Sequence, residues 1–476
     1  MGGTTVRYTG NPYVDAGVAV LEYRLKKHAE NINEGDLANQ AKRLEKEYNR
    51  KAWKSYLTVH FPNCAWVQPN IRPEKKRAYV DKVLQGYKTE PMVPARPCSF
   101  CGRPATALAD RSHIPLLTGE TTMASGAGGA PGLPVCGYCI CAIHFYPLAT
   151  LKVAGRPLFW WAPEQFWMLR LTQRFCHQVE KVLAGSSDEF ANLRWPSTQL
   201  LHAARDVLDE VESEHTPRQS RPPLCDVIGV HATNYGAGPD YDELRIPCGL
   251  LEFWSEAGNF GDTYRQIENE AWVAEEPEST KTRGKKLQKQ KTLANIAKLN
   301  RKNRLYEALG NAFRLPDYRA EAKRVALQFF LRRTGKNVAP NTTALAGFFL
   351  EKVAGMEKQR LEAIREMADT IADHLILANR DRRVAWHLFK RRLRLGDFLQ
   401  CLSQIQRKLS DAGHPFEWDK ILLALGLSNE EDRTSSDHWL VQDLILIRVY
   451  EKLAKSEVLA ELPEAEEPQT TAELTE

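Results

Sequence analysis

Two Cys-x-x-Cys pairs, Cys98–Cys101 and Cys136–Cys139, stand with 34 residues between them. Nothing else in the chain restricts its fold as strongly. Each pair can present two sulfurs to one ion from a tight turn, and two such turns complete a tetrahedron. The spacing predicts one structural zinc ion held by Cys98, Cys101, Cys136 and Cys139. Four thiolates leave no open position on the metal, so a structural ion is expected and metal-water catalysis is not. Gly102 and Gly137 adjoin the turns, where a positive φ is easily accommodated. Ten cysteines in 476 residues do not read as a disulfide framework, and two close pairs suggest metal first. The other six (Cys64, Cys141, Cys176, Cys225, Cys248, Cys401) are scattered and read as small buried apolar residues.

The chain is long enough for two to four domains. No apolar run approaches the roughly 18 to 20 residues needed to span a bilayer. MGGTTVRYTG lacks the charged-then-apolar pattern of a secretory signal, so a cytoplasmic protein is expected. The pattern predicts an α+β, mainly helical fold: an N-terminal α/β body with an inserted zinc ribbon, and a C-terminal helical bundle. Residues 1–97 read as mostly helical, from the apolar periodicity of PYVDAGVAVLEYRLKK onward. A zinc ribbon follows over 98–145, then an α+β body over 146–340 that contains a basic segment at 281–304. Within it, 155–175 packs five large aromatics into nine residues, read as a buried strand and helix rather than a base-stacking platform. Residues 224–255 suggest strands flanking a Gly/Pro turn. The bundle covers 341–455, where Phe349, Val353, Met356, Ile364, Met367, Ile371 and Leu375 fall on one helical stripe. The tail, 456–476, holds seven glutamates and no Lys or Arg, and is expected to be disordered.

Removing those seven charges takes the net charge from +5 to +12, and a basic body suggests a polyanionic partner. From Lys281 to Arg304 there are ten Lys/Arg and no acidic residue. A solvated face usually mixes signs, so phosphate contact is favoured over a plain linker. The expected contacts are Lys281, Arg283, Lys285, Lys286, Lys289, Lys291, Lys298, Arg301 and Lys302. In the bundle, RDRRVAWHLFKRRLRLGDF adds Arg380, Arg382, Arg383, Lys390, Arg391, Arg392 and Arg394. Such residues hold a polyanion without reading its sequence. The five glycines in 118–132 exclude a stable helix or central strand there. That loop is either a slack excursion of the ribbon or a place where backbone approaches nucleic acid closely.

One enzymatic reading competes. Double Cys-x-x-Cys knuckles also brace some His-Asn-His nucleases, and Asp110-Arg111-Ser112-His113-Ile114-Pro115 is loosely similar to their first histidine strand. That chemistry needs a second metal-holding group and usually an orienting asparagine, yet 71–191 contains no asparagine. A zinc-ribbon nucleic-acid binder of another kind is a further alternative.

Four phrases occur in one order: YTGNPYVDAGVAVL (8–21), LTVHFPNCAWVQP (57–69), the double Cys-x-x-Cys and HATNYGAGPDYDELRIP (231–247). Together they resemble the Cys-x-x-Cys/Cys-x-x-Cys family of CRISPR-associated proteins, the large subunit of type I-B Cascade. The resemblance runs to about residue 255. It implies a non-catalytic DNA- and RNA-binding subunit of an RNA-guided antiviral surveillance complex. Such a subunit reads the protospacer-adjacent motif in double-stranded DNA, aids strand opening and R-loop formation, and docks a helicase–nuclease or a transposition partner. Its partners would be CRISPR RNA, the other Cascade subunits, target duplex and displaced strand. Motif-reading candidates are Gly126, Gly128 and Gly129, and separately Asn234 and Tyr235. Asn11 and Asp15 suit a helix-start device better than a contact. The family habit of internal initiation implies a separately made bundle starting near Met356.

Overall fold

The computed structural model describes residues 5–62, 64–116, 132–184, 190–214, 223–233, 240–273, 300–331, 338–378, 387–388, 392–427, 437–454 and 456–458. These residues are mainly helical, with small antiparallel sheets. They divide into two compact units, one drawn chiefly from residues 1–248 and the other from 249–273 and 303–476.

In the first unit, α1 (Pro12–Leu25) starts as its sequence dictates. Asn11 Oδ1 accepts from the Tyr13 and Val14 amides at 3.1 and 3.2 Å, and Pro12 occupies the position whose missing N–H costs nothing. Asp15 reaches back to the Thr9 and Gly10 amides at 2.7 and 3.0 Å, so both residues are a helix-start device. Every residue from Val14 to Glu22 is buried, which makes α1 the unit's central rod. Helices α5 (Gly137–Phe145) and α6 (Gln165–Ala184) pack directly on it, and the unit also holds α2 (Glu34–Tyr48), α3 (Lys51–His60), α4 (Pro73–Gln85) and α7 (Pro196–Glu214).

Two small sheets complete this unit. Strands β1 (Ala107–Ala109) and β2 (Leu133–Val135) form an antiparallel ribbon in which Ala107 pairs with Val135. The larger sheet runs β3 (Leu151–Val153), β4 (Arg156–Trp161), β5 (Val227–Thr233), β6 (Asp240–Ile246), antiparallel throughout. Its register sets Trp160 opposite Gly229 and Val227 opposite Ile246. Three of the five aromatics, Phe159, Trp160 and Trp167, are buried, with the Trp160 ring packed on Phe175 at a centroid distance of 3.8 Å, while Trp161 and Phe166 are half-buried.

The second unit contains α8 (Cys248–Glu256), α9 (Thr263–Glu270), α10 (Arg304–Ala312), α11 (Tyr318–Val325), α12 (Thr342–Lys352), α13 (Lys358–Thr370), α14 (Leu395–Asp411), α15 (Trp418–Leu425) and α16 (His438–Leu453). Helix α16 is its core element, with α13 against it. The apolar stripe from Phe349 to Ile371 is buried, but not on one helix. Helix α12 ends at Lys352, Gly355 follows with φ 67° and the chain restarts as α13 at Lys358, so Met356 sits in the connection between the two helices. The short helices between 257 and 340 are each too brief to show a full apolar stripe in the sequence.

Candidate metal centre

The two knuckles are built differently. The first is a hairpin turn: the Gly102 amide donates to the Cys98 carbonyl at 2.9 Å and the Cys98 amide to the Arg103 carbonyl at 2.6 Å. Gly102 has φ 76°, as the turn requires. The second knuckle is a helix start. Cys136 is the N-cap residue of α5 and Cys139 lies in its first turn, where unpaired amides favour negative charge on sulfur. Gly137 is needed there for a different reason from positive φ. A Cβ on it would stand 2.0 Å from the Gly86 carbonyl carbon and the Tyr87 nitrogen. The β1–β2 ribbon joins the knuckles, and the Ser99 amide reaches the Pro134 carbonyl at 2.9 Å.

All four sulfurs lie within 4.8 Å of one another, with Cys101 and Cys136 3.5 Å apart. A tetrahedral ion with metal–sulfur bonds of about 2.3 Å sets sulfurs about 3.8 Å apart, so the cage fits. Hydrogen bonds among the thiols hold Cys98 and Cys101 below the usual thiol range. The same contacts push Cys136 and Cys139 far up. Four sulfurs this close cannot all ionise without a counter-charge, and a dication supplies it. Among the described residues this is the one group of three or more potential ligands.

The surroundings anchor the cage. Arg7 donates to the Cys101 carbonyl, and Arg103 Nη1 donates to the Thr5 carbonyl at 2.6 Å. Arg103 also lies 5.1 Å from the Tyr138 ring centre, and the Tyr138 hydroxyl donates to Glu34 at 2.5 Å. Two arginines thus stand beside a cage that carries a net charge of about −2 when filled by a dication. Neither they nor the glycine contacts were visible in the sequence, because all of these partners are distant along the chain.

His113 is buried. Its Nδ1 lies 2.8 Å from Asp110 Oδ1 and its ring stacks on Tyr79. The hydrogen bond from His113 holds the Asp110 carboxyl well below the usual range. His144 is buried too, with Nδ1 at 2.9 Å from the Ile140 carbonyl and Nε2 at 3.1 Å from the Tyr79 hydroxyl.

Several basic candidates can be placed. Arg301 is exposed, Lys302 Nζ lies 4.3 Å from the Trp195 ring centre, and Arg394 is exposed at the start of α14. Arg392 is drawn inward instead: its Nη2 donates at 2.8 Å to Asp443, which is 0% exposed. Its charge is therefore committed to the bundle core. Gly126, Gly128, Gly129, Asn234, Tyr235, Lys281, Arg283, Lys285, Lys286, Lys289, Lys291, Lys298, Arg380, Arg382, Arg383, Lys390 and Arg391 lie outside the described residues, as does nearly all of 456–476. Of the six other cysteines, Cys64, Cys141, Cys176 and Cys401 are buried as expected, but Cys225 and Cys248 are only half-buried. Among the described residues no helix is long and apolar enough to cross a membrane.

No family model, curated protein or solved structure matches this chain.

Proposed function

We propose that this chain is the non-catalytic large subunit of a type I-B CRISPR surveillance complex, held in shape by one structural zinc ion and working in the cytoplasm. In this role it reads the protospacer-adjacent motif in duplex DNA, helps open the strands and docks a helicase–nuclease or transposition partner. One observation carries the reading: the separated phrases of the resemblance gather in a single unit. Gly17 of the first phrase packs on Ala142, beside the second knuckle. Thr233, entering the fourth phrase, donates to the Val59 carbonyl of the second at 3.1 Å. Phrases far apart in the chain that meet in space are parts of one folded body. The basic segments supply non-specific hold on the polyanion, and base pairing by the guide supplies the long specificity. A bundle product initiated at Met356 would begin just ahead of α13.

The test is co-expression with CRISPR RNA and backbone subunits. The chain should copurify with them, and the assembled complex should bind duplexes selectively across a randomised flanking motif. Failure to join guide-bearing subunits, or metal-dependent DNA cleavage by the isolated chain, would overturn the proposal.

A further inference from the structure

Cys225 and Cys248 stand at the open ends of the β5–β6 hairpin. Its last rung pairs Val227 with Ile246, which leaves Cys225 two residues before that rung on one side and Cys248 two residues after it on the other. Cα atoms across that last rung stand about 4.5–5.5 Å apart, and a disulfide spans Cα atoms about 4.4–6.8 Å apart. The chain turns at Pro247 into α8, so the ladder itself stops there. Asp226 holds the two ends together beyond it. Its Oδ1 accepts from the Cys248 amide at 2.8 Å and its Oδ2 from Arg245 Nε at 3.0 Å. The residue next to one cysteine is thereby bonded to the backbone of the other. Burial pushes Cys225 up to about 11, against a hydrogen bond from the Glu164 backbone that lowers it, and the nearby Glu164, Cys248 and Asp226 charges raise it further. Outside the tetracysteine cage these are the two cysteines with access to solvent.

We propose that Cys225 and Cys248 are a redox-modification site that closes to a reversible disulfide. The inference stands apart from the functional reading above, since it uses neither the metal nor nucleic acid. The oxidant is a small-molecule disulfide. One cysteine thiolate attacks a sulfur of oxidised glutathione and expels a glutathione thiolate, leaving a mixed disulfide. The second cysteine thiolate attacks the protein sulfur of that bond and expels the second glutathione. Two protein thiols lose two protons and two electrons, and glutathione disulfide becomes two thiols. The high Cys225 value means the reaction quickens as pH rises. Closure ties off the 22 residues between the cysteines, and so pins the base of the hairpin.

The full chain, metal-loaded, is incubated with oxidised glutathione, its remaining thiols are alkylated, and it is digested with trypsin. Cleavage after Arg245 puts the two cysteines on separate peptides. The expected result is a linked Cys225–Cys248 peptide pair with metal content unchanged. In C225S, which should keep the wild-type melting temperature under reducing conditions, Cys248 should end as a glutathione mixed disulfide. Separate glutathionylation of both cysteines in the unsubstituted chain, or no modification of either, would refute the proposal.

Discussion

Gly17 on α1 faces the backbone carbonyl of Ala142 on α5, so closely that a Cβ on Gly17 would stand 1.8 Å from that oxygen. Both sides of the contact are main chain, so no rotamer relieves it. In an open helix, Gly→Ala gains about 1 kcal/mol. Here the sign reverses: G17A should destabilise the chain by about 3 kcal/mol or more, because two buried helices must separate. Denaturant unfolding measures this. G347A on α12, where a Cβ would meet nothing within 4 Å, is the control and should be neutral or mildly stabilising.

Metal analysis of the purified chain should find about one zinc per molecule, falling to background in C139S. Removing the metal should also loosen the N-terminal segment, since Arg7 and Arg103 tie residues 5–7 to the first knuckle. Trypsin should then cut after Arg7 early. A chain that keeps its melting temperature and protease resistance after chelation would contradict a structural ion.

The Arg392–Asp443 pair gives a second stability test. Asp443 is fully buried, and the neighbouring Gln442 clamps the Leu393 amide at 3.0 Å and the Leu388 carbonyl at 2.9 Å. R392A leaves a buried carboxylate without its cation and should cost about 3–5 kcal/mol. R392M/D443L, which removes both charges, should cost much less. Equal losses in both variants would show that the charges do not act on each other.

Acid should weaken the first unit from just below neutrality. Burial holds His60 and His144 down to about 3 in the folded chain, against about 6.5 unfolded. The unfolded state therefore takes up protons first as pH falls. The stability due to the neutral imidazoles is complete above about 6.5 and drains away between there and about 3. Asp110 adds to the loss lower down: its carboxyl is depressed, so its contribution is full above about 3.9 and disappears as it protonates. Melting temperatures across this range measure the slope, and H144Q should flatten part of it. A profile flat from pH 7 to pH 4 would be inconsistent with the buried, neutral histidines.

The sequence alone determined features whose cause is local. The start of α1 was readable because Asn11 and Pro12 act on their own neighbours. The tetracysteine cage was readable because each knuckle needs only four consecutive residues, and pairing the knuckles leaves one sensible partner. The buried aromatic run declared itself by composition. Tertiary structure alone decided everything that depends on residues far apart in the chain. It split the stripe from Phe349 to Ile371 at Gly355, and turned Arg392 from a surface charge into a core ion pair. It also gave Gly137 the task of admitting another backbone, and tied the Cys248 amide to Asp226, the neighbour of Cys225. The reason is physical: periodicity records which face of an element is apolar, while close approach and charge pairing depend on which element arrives at that face.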